Sequence, residues 1–255
     1  MKQKLLNFLQ INADDVDNYY IEPDEGHSIL KSDSTLFELS PDEFLEYAEQ
    51  DSISKDIRGS INALTNTKRA IECQCDIIHF SLGIPYKKLD FPTKLENIQK
   101  MGILAKARSS KSSIFTRINK IRVNLEHYYK KPDSDRVVDA IEIAQLFLAV
   151  TTLSLNNVTC HFYIIYENNE SNLGLSPSDY WRNGISISYV DKENHFKLSN
   201  PKTQNTLIIS GSSKNELDTF LGLINLSVNV GKMQVIETTN QKRLFKQFYT
   251  NLIED

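Results

Sequence analysis

Cysteine is scarce in this chain: three, at positions 73, 75 and 160. An odd count, with two of the three a single residue apart in a segment read below as helix, does not build a disulfide framework. A zinc site needs about four ligands at loop-like spacing, and Cys73-Gln74-Cys75 has no second pair to match it. All three are therefore expected as buried or half-buried thiols. Long hydrophobic runs are also missing, since none approaches the roughly 20 residues that cross a bilayer. The N-terminus alternates short apolar pieces with Asp14, Asp15 and Asp17, where a secretory leader would be cationic and then continuously apolar. These absences point to a cytoplasmic protein with no membrane segment. A phosphate-binding glycine loop, a GxGxxG turn and a nucleophile elbow are absent too. No cofactor and no metal are expected.

What is present is apolar residue enough, 40% against 24% charged over 255 residues, for one large domain or two ordinary ones. The charge is unevenly spread. Residues 1–60 carry 14 acidic and 5 basic side chains. Residues 100–131 carry nine basic ones (Lys100, Lys106, Arg108, Lys111, Arg117, Lys120, Arg122, Lys130, Lys131) against Glu126 alone. A positive field of this kind attracts polyanions such as RNA, although a solvated basic face reads the same from sequence. The acidic N-terminal segment is complementary to the basic block and is a candidate to shield it within one chain.

Ser40-Pro41-Asp42-Glu43 offers a cap, a proline at the first helical position and a glutamate placed to bond back, so a helix is expected from here to about Asp51. Ile57, Ile61, Leu64, Lys68, Ile71, Cys75, Ile78 and Leu82 then alternate steps of four and three, the stripe of one long helix. Gly83 and Pro85 supply its stop, and Pro92 opens a shorter helix to about Ile103. Ile114, Ile118, Ile121 and Leu125 repeat the spacing, Lys131-Pro132 breaks it, and Ser134 to about Ser154 forms another helix with Val137, Ile141, Ala144 and Leu148 inward. After Asn156 the grammar changes to short β-branched and aromatic segments at 158–166, 184–190, 195–199 and 205–210, followed by helices at 214–229 and 239–253. The reading is α+β. An acidic arm over residues 1–37 precedes an all-α antiparallel bundle over 38–155, and a domain with a small antiparallel sheet covers 156–255.

The helix after Ser113 carries an unusual polar set in IRVNLEHYYKKP. With its apolar stripe set near 0°, Arg122 falls at about 80° and His127 at about 220°. The two bracket an outward face that also includes Phe115 and Val123. Apolar residues on an outward face suggest a partner surface, and a two-fold axis there would gather two Arg122 and two His127 in one basic cleft. An imidazole can take the proton of a ribose 2′-hydroxyl or protonate a departing 5′-oxygen, while a guanidinium holds the phosphoryl charge, with no metal needed. A histidine merely paired near a helix end with Glu126 or Tyr128 is the bland alternative.

RVNLEHYY followed by KKPDSDRVVDAIEIAQLFL resembles the core of the HEPN superfamily, and NALTNTKRAIECQCDIIHF resembles the long helix that precedes it. The likeness covers about residues 38–155. It implies a metal-independent endoribonuclease acting as a homodimer through the motif helix, with Arg122 and His127 as the catalytic pair. Asn124 and Glu126 are candidate supporting residues, and Arg117, Lys120, Lys130 and Lys131 candidate RNA contacts. A narrower resemblance to the toxins of HEPN/MNT toxin–antitoxin pairs implies a toxin or phage-defence role. It also makes Tyr129 a candidate target for AMP transfer by a nucleotidyltransferase-type antitoxin. Val123 stands where many active members carry a polar residue after the arginine. That leaves open a non-catalytic nucleotide- or RNA-binding module, or a protein interaction scaffold. His161 and His195 lie on expected strands with no acidic or cysteine partner nearby in sequence and read as sheet or surface residues; Trp181 reads as a loop anchor.

Overall fold

The computed structural model describes residues 1–27, 29, 37–54, 56–103, 120, 123, 134–156, 158–167, 184–232 and 238–253. The elements in chain order are α1 (Lys2–Leu9), a 3-10 turn (Ala13–Asn18), β1 (Tyr19–His27), α2 (Pro41–Ile53), α3 (Ile57–Ser81), α4 (Phe91–Lys100) and α5 (Ser134–Asn156). They continue with β2 (Val158–Tyr166), β3 (Ile185–Val190), β4 (His195–Asn200), β5 (Asn205–Ser210), α6 (Leu217–Gly231) and α7 (Thr238–Ile253). The chain is α+β, as the change of pattern after Asn156 predicts.

Local chemistry fixes the ends of the helices. At α2 the Ser40 hydroxyl accepts from the Glu43 amide at 3.1 Å, and the Ser40 amide donates to the Glu43 carboxylate at 2.7 Å. This reciprocal cap satisfies two otherwise orphaned donors and holds the Glu43 carboxyl below its usual pKa. Asp56 and Asp90 cap α3 and α4 by accepting from Gly59 and Thr93 at 2.6 and 2.9 Å. At the other end of α3, Gly83 takes φ +65°, while its amide and that of Ile84 bond back to the carbonyls of Phe80 and His79. That double closure requires a left-handed residue, which glycine adopts without strain.

α2, α3 and α5 pack on one another. The long stripe of α3 is buried from Leu64 to Leu82, but Ile57 and Ile61 at its start are 51% and 43% exposed. The first two turns of α3 thus project past the described core, contrary to the expectation that the whole stripe turns inward. Lys68, the polar interruption, is half-buried and reaches Glu72 at 3.8 Å one turn on. Gln74 donates to the Thr151 and Thr152 hydroxyls at 2.9 and 3.3 Å, a polar tie between α3 and α5 inside an apolar contact.

The sheet is five-stranded and antiparallel, in the order β1-β2-β3-β4-β5. Its four later strands lie where the sequence pattern puts them; the first comes from the other end of the chain. Residues 1–37, expected as an acidic arm, supply α1, the 3-10 turn and β1, and β1 pairs with β2 from Tyr19↔Tyr166 to His27↔Val158. The helices of residues 41–156 are therefore an insertion between two adjacent strands. Phe162, Ile187, Phe196, Leu198 and Ile209 are fully buried on one face of the sheet, against α6 with Phe220 and Ile224. α7 packs on β1 and on the 3-10 turn; Tyr249 donates to the carbonyl of Ile11, just ahead of that turn, at 2.8 Å, and Lys246 reaches Asp17 within it at 2.7 Å. One contiguous apolar core joins Leu45, Ile71 and Ile78 of the inserted helices to Phe162 and Phe196 of the sheet. The expected boundary at 155/156 does not divide that core.

α5 is the one described helix long and apolar enough to cross a membrane. It corrects the expectation that no run approaches that length. Its inward residues Val137, Ala140, Ala144, Phe147 and Thr151 are buried, and Asp135, Arg136, Asp139 and Glu142 lie exposed along its first half. Its inward side packs on α2 and α3, while Val138, Leu146 and Leu153 on the other side are exposed.

Candidate functional site

Arg122 and His127 lie outside the described residues, as do Asn124, Glu126, Tyr129, Arg117, Lys130 and Lys131. Of the motif segment, Lys120 is helical and exposed, and Val123 is helical and half-buried. The segment runs from α4 to α5, both packed on α3. Lys100, at the start of the basic block, is held by Asp218 at 3.0 Å and Glu96 at 3.2 Å; burial works to lower its pKa, and the two carboxylates together outweigh it and raise the value. It is neutralised locally and adds little to a field aimed at a polyanion. The acidic residues of the N-terminal segment have partners elsewhere as well: Asp17 pairs with Lys246, Glu22 accepts from Gln241 at 3.3 Å, and Asp24 meets His161. Those three are spent on α7 and the sheet rather than on shielding the basic block.

Among the described residues, chemistry-bearing side chains converge on the face of the sheet opposite α6. Alternation along the strands puts His161 and Tyr163 of β2, Ser186 and Ser188 of β3, and Lys197 and Ser199 of β4 on that side. His161 Nδ1 lies 2.8 Å from Asp24 Oδ2, and its Nε2 lies 3.1 Å from Ser186 Oγ. The ring also packs on Tyr163, with centroids 4.8 Å apart. β1 and β2 keep one register on either side of this point, Pro23↔Phe162 before and Gly26↔Thr159 after. Between them the ladder shifts, and Glu25 instead of Asp24 pairs with His161. Asp24 is left out of the pairing where its carboxylate reaches the imidazole, the local re-aiming that ladder irregularities produce.

Sequence reading missed this group because Asp24 and His161 are far apart in the chain and meet only through the pairing of β1 with β2. The alternation of β2 shows which face His161 takes; nothing local announces β1 as its neighbour. His195 is buried and has Glu193 at 3.5 Å across the β3–β4 turn, an acidic neighbour two residues away that the reading passed over.

Cys75 and Cys160 are buried and Cys73 is half-buried, and none of the three is in a disulfide. Burial pushes the Cys73 thiol up to about 11 and that of Cys75 well above its ordinary value, the reverse of what a nucleophilic cysteine needs. Among the described residues no group of three or more His, Cys, Asp or Glu side chains is arranged to hold a metal. No family model, no curated protein and no solved structure matches the chain.

Proposed function

We propose that this chain is a metal-independent endoribonuclease of the HEPN type, working as a homodimer in a toxin or phage-defence system. The observation that carries the reading is the Arg122-x4-His127 spacing inside a stretch where basic side chains outnumber acidic ones nine to one. In the reaction, His127 takes the proton of a ribose 2′-hydroxyl. The 2′-oxygen bonds to the adjacent phosphorus, the phosphorus–5′-oxygen bond breaks, and the proton held by His127 passes to the departing oxygen. Arg122 holds the charge on the non-bridging oxygens. Asn124 and Glu126 support the pair, Arg117, Lys120, Lys130 and Lys131 hold the flanking backbone, and AMP transferred to Tyr129 by a nucleotidyltransferase partner blocks the cleft.

A dimer needs an apolar surface to bury, and the helical half has one. Val138, Leu146 and Leu153 along the outward side of α5 are 51%, 58% and 67% exposed. Exposed apolar side chains on the helix that follows the motif segment support a partner surface in this half of the chain, beside the motif helix through which the dimer forms.

The test is cleavage of RNA in EDTA by the full-length protein and by His127→Ala. The reading expects products from the wild type and none from the variant at unchanged circular dichroism. RNA affinity without any product would replace it with a non-catalytic binding module. No RNA affinity, together with partner binding indifferent to salt, would replace it with an interaction scaffold.

A further inference from the structure

We infer that Ser186 is an activated nucleophile, with His161 as its general base and Asp24 as the positioning residue, in a second site that hydrolyses carboxylic esters. The inference stands apart from the motif helix and rests on the described sheet alone.

A carboxylate only accepts, so the 2.8 Å contact with Asp24 assigns the ring proton to Nδ1 of His161. In the neutral ring Nε2 then bears the lone pair. The 3.1 Å contact on that side is a bond in which the Ser186 hydroxyl donates. This is the polarity a serine nucleophile requires: its proton already points at the base, and the base is held in the right tautomer by a carboxylate behind it. Triads are recognised by such roles and geometry, whatever fold carries them.

The strands make the arrangement rigid. Ser186 sits on β3, flanked by β2 and β4, and His161 is its diagonal neighbour, because the direct pairs are His161↔Ser188 and Tyr163↔Ser186. Tyr163 packs against the imidazole and limits its rotation. The ladder is interrupted at Asp24, next to Pro23, and the interruption turns the residue that completes the line toward the imidazole. Solvent reaches the group: the His161 and Asp24 side chains are 25% and 36% exposed, and Ser186 is half-buried. Lys197, exposed and paired with Ser188 across the ladder, supplies a cation on the same face for a developing oxyanion.

The reaction balances with water as the second substrate. Ser186 Oγ bonds to the ester carbonyl carbon as its proton passes to His161 Nε2. The oxyanion collapses, the carbon–alkoxy bond breaks, and the alcohol leaves with that proton. Water, deprotonated by the same nitrogen, then attacks the acyl carbon, and the Ser186–acyl bond breaks as that proton passes from His161 Nε2 to the serine oxygen, which releases the acid and restores the starting site.

The test uses the full-length protein, a fluorophosphonate probe and p-nitrophenyl acetate, with the modified residue located by mass spectrometry. One adduct per chain is expected, on Ser186, with release of p-nitrophenolate. Ser186→Ala should lose the adduct, and Ser188→Ala, the next serine on that face, should keep it. His161→Ala should slow labelling by about a hundredfold or more, and Asp24→Asn should slow it and change its pH profile. No adduct on Ser186, or equal labelling rates in wild type and His161→Ala, overturns the proposal. Because both readouts leave RNA out, they stand or fall separately from the ribonuclease assay.

Discussion

The side-chain amide of Asn97 on α4 donates to Nε2 of His79 on α3 at 3.2 Å, in an interior where His79 is fully buried. The opposite nitrogen, Nδ1, donates to the Cys75 carbonyl at 2.8 Å. Both contacts are satisfied only by a neutral ring with its proton on Nδ1. Burial is the main cause that holds the His79 pKa below its ordinary value, and the bond to the Cys75 carbonyl opposes it only in part.

Stability should therefore fall in mild acid. Above the ordinary histidine value near 6.5 the ring is neutral whether the chain is folded or not, and the folded state loses nothing. As pH falls below about 6.5 the unfolded chain takes up a proton that the folded interior refuses. Unfolding is then favoured by up to about 1.4 kcal/mol per pH unit for this one site, until the folded value is reached. Urea unfolding midpoints between pH 8 and 5 measure this, and His79→Gln should flatten the decline below 6.5. An unchanged profile in that variant would mean the acid sensitivity resides elsewhere.

Two glycines should respond to alanine with opposite signs. Gly83 has φ +65°, and a Cβ added there would sit 2.6 Å from the Cβ of Asn194. Left-handed backbone costs an L-residue about 1–2 kcal/mol, so Gly83→Ala should destabilise by at least that much. Gly222 lies inside α6, and an added Cβ meets nothing within 4 Å. Gly222→Ala should stabilise by about 0.5–1 kcal/mol, the usual gain in a helix interior. Thermal unfolding of the two variants against wild type reads both.

The contrast between what could be read in advance and what could not follows the range of the interactions. Caps, stops and stripes act over a few residues, so Ser40–Glu43, Gly83 and the apolar spacing of α3 and α5 announce their helices, and alternation announces β2 to β5. β1 escaped because a strand with Pro23, Asp24 and Gly26 in it looks like a loop until β2 is beside it. The same long-range pairing brings Asp24 to His161, so the candidate triad was invisible for the same reason. Ile57 and Ile61 show the converse. Periodicity reports which residues share a face; it does not report where the neighbouring helix ends.

All three thiols should be inert in the native state. Cys75 and Cys160 are buried, and the half-buried Cys73 has its thiol held near 11 by burial, with Asp76 adding to the shift. At pH 8 the thiolate fraction of Cys73 is then on the order of a thousandth. Titration with a chromogenic disulfide reagent at pH 8 should show no fast-reacting thiol in the folded chain and three in denaturant. A rapid equivalent in the native protein would contradict the burial of α3 against its neighbours.

Removal of the N-terminal segment should damage the sheet long before it reports on RNA affinity. Residues 1–27 include Leu5, Leu9, Val16 and Ile21, all in the core, and the whole of β1. Without them β2 becomes an unpaired edge rich in Ile, Phe and Tyr, and α7 loses the surface on which Phe245 and Tyr249 pack. An exposed apolar edge of that kind templates pairing between chains. A chain lacking residues 1–27 should therefore express as aggregate or as a mixture of large oligomers in size-exclusion chromatography. Adding the missing segment back as a separate peptide should raise the soluble fraction. If the truncated chain stayed folded in the same oligomeric state as the full chain, β1 would be dispensable, and the contact between Asp24 and His161 would have to be judged an incidental pairing at the edge of a sheet already stable without it.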